Sequence, residues 1–149
     1  MIKTVHAVRI VLGIFLFLNG MNMWLGILPI SSPRSGPAFE LMNGLVLSGL
    51  FEYVKIIEIV TGLLFIFNIF VPLALAVMAP LVFVIAFTDF ILLGTPNAIA
   101  FGVAMVLLWG IPMWAYLPYF FGLFRMKAQP ECVSFDDIAS AVTSKQKPG

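Results

Sequence analysis

Charge is scarce in this chain of 149 residues: only 10% of positions are Asp, Glu, Lys or Arg, with eight basic residues against seven acidic ones. A soluble domain of ordinary composition carries about 25% charged residues. With 62% of positions hydrophobic, too few polar side chains remain to cover a water-facing surface. This excludes an ordinary soluble enzyme, a disordered chain and a disulfide-stapled secreted module, and leaves an integral membrane protein. A formal charge of +1 also lacks the strongly basic face of a nucleic-acid binder.

Cysteine and histidine are almost missing. Cys132 is the single cysteine, so neither a CxxC redox pair nor an internal disulfide can form, and the small quinone-linked thiol oxidases of membranes are excluded with them. His6 is the single histidine. A bis-His haem or a His/Cys zinc set is therefore beyond this chain alone, and no metal or haem is expected in it.

Long apolar runs are what the sequence does have. A helix needs about 20 apolar residues to cross the roughly 30 Å hydrocarbon layer, and four runs qualify. The first spans about Val5 to Leu28, ended by Pro29 and a loop rich in Ser, Pro and Gly up to Pro37. Lys3 and Arg9 precede or enter this run as they would a signal peptide, but it is long for one and no small-residue cleavage site closes it, so it is read as a retained helix. Ala38 to Val71 would measure about 50 Å as one helix and must be divided. Its first part, interrupted by Glu40, Asn43, Ser48, Gly49 and Glu52, reads as an interfacial helix, and the second span follows from about Tyr53 to Phe70. Asn68 and Pro72 mark a short turn. The third span runs from about Leu73 to Leu93 with a kink expected at Pro80, and the fourth from about Ala98 to Phe121, bent near Pro112. Residues 125–149 form a polar tail.

The fold class expected is thus all-α: a four-helix transmembrane bundle over residues 1–124 with an outer interfacial helix between spans one and two. Basic residues orient it. Lys3, Arg9, Arg125, Lys127, Lys145 and Lys147 collect on the side of the two termini, against Arg34 and Lys55 opposite, which predicts both termini in the cytoplasm. Arg9, one or two turns into the first helix, reads as a topology anchor snorkelling to the headgroups.

Ionisable groups inside spans are expensive and ask for explanation. Alternating helix directions bring several polar residues to similar depth on the outer side. Asn19 and Asn22 come from the first helix, Glu52, Lys55 and Glu58 from the second, and Thr88 and Asp89 from the third. Lys55, Glu58 and Asp89 are the candidate catalytic residues; Asn19, Asn22 and Glu52 are candidate ligand-binding residues. Lys55 stands three residues from each of Glu52 and Glu58 and can pair with either. Such a pair reads in two ways, as a self-neutralising bridge or as a proton-handling, ligand-contacting group. Glycines 13 and 20 on the first helix and 102 and 110 on the fourth suit close helix packing.

Three stretches in combination, RIVLGIFLFLNGMNM from Arg9, KIIEIVTGLL from Lys55 and NIFVPLALAVMAP from Asn68, resemble the DoxX family of small four-helix membrane proteins over roughly residues 6 to 124. Similar members carry an Asn and a His in helix three, where this chain has Val84 and Asp89. The resemblance implies a bacterial inner-membrane protein, in some cases the membrane subunit of a thiosulfate:quinone oxidoreductase. Two functions are therefore expected. One is a quinone-linked oxidoreductase subunit, with Lys55, Glu58 and Asp89 near a quinone headgroup, Asn19 or Asn22 donating to its carbonyls, and a partner supplying electrons. The other is a non-enzymatic accessory subunit that binds other membrane protein subunits or an apolar ligand. A transporter ranks below both, because the sequence shows no broken-helix repeats.

Overall fold

The structure, a computed structural model of the chain, describes residues 2–26, 35–124 and Ser140, and every regular element among them is helical. Helix α1 is Ile2–Leu25, α2 is Pro37–Leu47 and α3 is Leu50–Phe67. Helix α4, Val71–Phe87, runs on as a π-helical segment Thr88–Leu93. Helix α5, Pro96–Tyr116, tightens into a 3-10 segment Leu117–Phe124. The Arg34 loop and the polar tail lie outside the described residues, apart from Ser140.

The boundaries follow from local chemistry. Gly49, at φ 75°, takes the left-handed conformation that separates α2 from α3, so α3 begins at Leu50 rather than at the expected Tyr53. Asn68 ends it in the same region at φ 59°, a conformation Asn tolerates better than most side chains. The chain turns through Ile69 and Phe70 into α4, where Pro72 sits in the first turn and forfeits no intrahelical bond. Thr95 caps α5 by accepting from the Ala98 amide at 3.3 Å, and Pro96 follows as the first helical residue.

The third and fourth expected spans stand within a few residues, as Val71–Leu93 and Pro96–Phe121, and two details of winding are added to them. The end of the third predicted span is not α-helical: Gly94 donates to the Asp89 carbonyl at 3.1 Å, five residues back, so Thr88–Leu93 is wound as a π-helix. The fourth predicted helix keeps α geometry only to Tyr116. Neither change alters hydropathy, so no apolar run could reveal it.

Three helical stretches are long and apolar enough to cross a membrane: Lys3–Leu25, Val71–Leu93 and Pro96–Phe121. Helix α3 has 18 residues and carries Glu52, Lys55 and Glu58. It lies antiparallel along α1, the most intimate helix pair of the molecule. A methyl group on Gly62 would stand 2.8 Å from the Gly13 carbonyl oxygen and from the Phe17 amide, and one on Gly20 would stand 2.9 Å from the Lys55 carbonyl. The two backbones therefore touch where glycine permits it, as expected of Gly13 and Gly20. Gly102 likewise admits Phe90 and Asp89, but Gly110 has nothing within 4 Å and is no packing glycine.

Leu12 and Leu16 of α1, Phe65 of α3, Leu75 and Met78 of α4, and Met105 of α5 form one buried core. Trp109 of α5 donates its indole N–H to the Leu75 carbonyl at 3.1 Å and ties α5 to α4. The exterior is also apolar: Leu47, Phe83 and Trp114 are each more than two-thirds exposed.

Candidate functional site

Lys55, Glu58 and Asn19 come together where α3 crosses the second half of α1. Lys55 and Glu58 are one turn apart on α3 and both are buried. The Lys55 ammonium donates to Glu58 Oε2 at 2.9 Å, and Asn19 Nδ2 donates to the same oxygen at 2.9 Å. One carboxylate oxygen thus collects a charged and a neutral hydrogen bond from two helices. The approach is set by glycine: Gly20, next to Asn19, lets α1 reach the α3 backbone at Lys55 and Ile59.

The ion pair with Glu58 engages one of the three ammonium protons of Lys55. Its nitrogen also lies 5.1 Å from the centroid of the Phe51 ring, one turn earlier on α3, a cation–π arrangement that helps hold the cation away from water.

The other candidates are placed differently. Glu52 is exposed and makes no hydrogen bond or ion pair with the described residues. Lys55 therefore takes Glu58 rather than Glu52. Asn22 is buried one turn beyond Asn19 and is engaged by a partner. Asp89 lies in the π-helical segment against α5, where a methyl group on Gly102 would stand 3.0 Å from its Cβ. Its Oδ2 is buried without a hydrogen-bond partner. Among the described residues Lys55 pairs with Glu58 and not with Asp89.

On another face of α3, away from the cluster, α3 and α4 form an open apolar groove of about 240 Å³, lined by Ile56, Val60, Thr61, Leu64, Leu73 and Val77 among others. Thr61 turns its hydroxyl back onto the Ile57 carbonyl at 2.6 Å, so even this residue shows the groove its methyl side. Among the described residues no three His, Cys, Asp or Glu side chains are grouped to hold a metal ion. Compared with protein-family models, with curated proteins and with solved structures, the chain finds no match.

One buried group escaped the sequence reading. Arg9, expected to snorkel outward, is 4% exposed, and its Nε and Nη1 are buried without a hydrogen-bond partner. It lies on the same face of α1 as the buried Leu12 and Leu16. A charge count sees such a residue but not its direction.

Proposed function

We propose that this chain is a four-span, DoxX-like inner-membrane protein and the membrane subunit of a quinone-linked oxidoreductase system. The observation that carries the reading is the buried Lys55–Glu58 pair bridged to Asn19. A span with three charged residues is costly taken alone, yet α3 lies along α1 for most of its length and its two buried charges neutralise each other. If α1 crosses the bilayer, α3 crosses with it. The short α2 then lies at the interface on the outer side, both termini face the cytoplasm, and lipid surrounds the apolar exterior.

The residues suit a carbonyl-bearing ring with an apolar tail. Lys55 has ammonium protons beyond the one that Glu58 accepts, and these would donate to a carbonyl oxygen. Asn19 or Asn22 would add an amide donor, and the apolar exterior beside the cluster would take the tail. A quinone takes up protons together with electrons when it is reduced. Glu58 holds a carboxylate beside the Lys55 ammonium, so the chain's own part is to bind the headgroup and move a proton at Glu58 Oε2. Asp89, buried at the edge of the same half of the bundle, would pass protons inward. The electrons come from a partner protein or a soluble reductant, because the chain carries no redox ligand set of its own.

Quinone retained after gentle detergent extraction, and lost in Lys55→Met and Glu58→Gln, is the expected result. If wild-type protein retains no quinone, and the two variants leave quinone-linked activity of the host membranes unchanged, the oxidoreductase reading fails. A second reading has an observation of its own: Glu58 Oε2 is already satisfied within the fold, as a purely structural latch would have it. An accessory subunit without chemistry would then travel with a larger membrane assembly, and both variants would lower folding yield with no effect on ligand retention.

A further inference from the structure

Arg9 is a cation buried in the bundle with no counter-ion among the described residues. A guanidinium stays charged in proteins, so it cannot escape the burial by releasing a proton. The antiparallel register of α1 and α3, with Gly13 against Gly62 and Gly20 against Lys55 and Ile59, locates it. Carried one turn further, this register puts Arg9 level with Ile66 to Phe70, where α3 ends and turns into α4. No described carboxylate stands at that level. Glu58 is level with Asn19, about 15 Å away along α1, and is occupied by Lys55. Asn68, in the turn itself, has its Oδ1 taken by the Tyr116 hydroxyl at 3.5 Å. Glu40 and Glu52 belong to the opposite end, and Asp89 lies near the far end of α4.

We infer that Arg9 is a binding site for a phosphate-class anion, the headgroup of an anionic phospholipid of the adjacent leaflet. Arg9 is a permanent charge with no described counter-ion and with two nitrogens, Nε and Nη1, unsatisfied, and the planar fork of a guanidinium matches phosphate oxygens. The depth agrees. Arg9 is about 10 Å along α1 from its first described residue, and the same end of the bundle carries Trp114, 79% exposed, and Tyr119, 55% exposed. Such aromatic side chains favour the headgroup level, and basic pockets between helices at that level take lipid phosphates. The site is at the opposite end of the molecule from the Lys55–Glu58 cluster and does not depend on the oxidoreductase reading.

The test uses the full chain in detergent, with phosphatidylglycerol, phosphatidylcholine and inorganic phosphate as probes. Bound lipid is counted by native mass spectrometry and stability is read by thermal unfolding. Wild type is expected to bind phosphatidylglycerol over phosphatidylcholine and to be stabilised by it. Arg9→Gln is expected to lose that preference by about tenfold or more, as when a charge-assisted hydrogen bond is removed, while Lys3→Gln, an exposed control, keeps it. Should Arg9→Gln fail to fold, Arg9→Lys decides, because it keeps the charge and loses the fork: a weaker preference supports the site and an unchanged one overturns it. Stabilisation by inorganic phosphate that Arg9→Gln abolishes supports the anion site and assigns it a soluble source. Equal lipid preference in wild type and Arg9→Gln overturns the inference. So does a stability loss in Arg9→Gln that is the same with and without phosphatidylglycerol, since the partner would then be a carboxylate of the protein itself.

Discussion

Lys55 and Glu58 show how a charge survives in an apolar interior, through one partner a turn away and a second donor from the neighbouring helix. Removing one member leaves the other charge buried and alone, which typically costs about 3–5 kcal/mol. Lys55→Met is therefore expected to lower the unfolding temperature in detergent sharply. The double variant Lys55→Met with Glu58→Gln recovers much of the loss, because no uncompensated charge remains. Equal damage from the single and double variants would argue that the pair does not interact as the 2.9 Å contact implies. Asp89 gives the opposite expectation. Its buried Oδ2 has no partner, so Asp89→Asn keeps the shape, removes an unpaired charge and should leave the unfolding temperature equal or higher. A clear drop would reveal an acceptor role that the geometry does not include. The pairing of Lys55 with Glu58 was legible in the sequence because spacing along one helix limits who can meet whom. The burial of Arg9 was not, because α1 is apolar on every side and periodicity marks no inward face.

At the scale of the elements, contact between α1 and α3 rests on positions where only a hydrogen atom fits. Gly62→Ala would drive a methyl group to 2.8 Å from backbone atoms of α1 on two residues, Gly13 and Phe17. Backbone cannot step aside as a side chain can, so a cost of about 1–3 kcal/mol is expected. The α1–α3 separation should grow, readable as a longer distance between spin labels on the two helices. Gly110→Ala, in open space within α5, should instead stabilise by about 0.5–1 kcal/mol, the ordinary preference for alanine in a helix interior. Thermal unfolding of the two variants side by side checks the contrast; a cost at Gly110 as large as at Gly62 would deny that α1–α3 contact is special. Helix limits were legible within a few residues, because Gly49, Asn68, Thr95 and Pro96 announce turns and caps by local chemistry alone. Where α4 becomes a π-helix was not, since Thr88–Leu93 continues the same span and its Asp89 and Phe90 pack against Gly102 of α5, a partner that adjacent residues do not announce.

For the molecule as a whole, the open quantity is the number of crossings, and α3 decides it. Three stretches meet the demands of length and apolarity by themselves. Helix α3, about 27 Å long at 18 residues, is short and charged, and a count of hydropathy along the chain treats Lys55 and Glu58 as two separate penalties. In the fold they are one neutral pair, shared with Asn19 and packed against α1, so the penalty is incurred largely once and is offset by contacts between helices. Four crossings put the first residues of α1 and the tail on one side of the membrane; three would put them on opposite sides. Cys132 is the single cysteine, which makes the difference measurable. In sealed cells, a membrane-impermeant maleimide is expected to leave wild-type Cys132 unlabelled and to label a Glu40→Cys variant in a Cys132→Ser background. A Lys3→Cys variant in the same background should stay unlabelled until the membrane is opened. Labelling of Cys132 from outside with Lys3→Cys protected would mean that α3 does not cross, and that the buried pair is held against α1 without spanning the bilayer beside it.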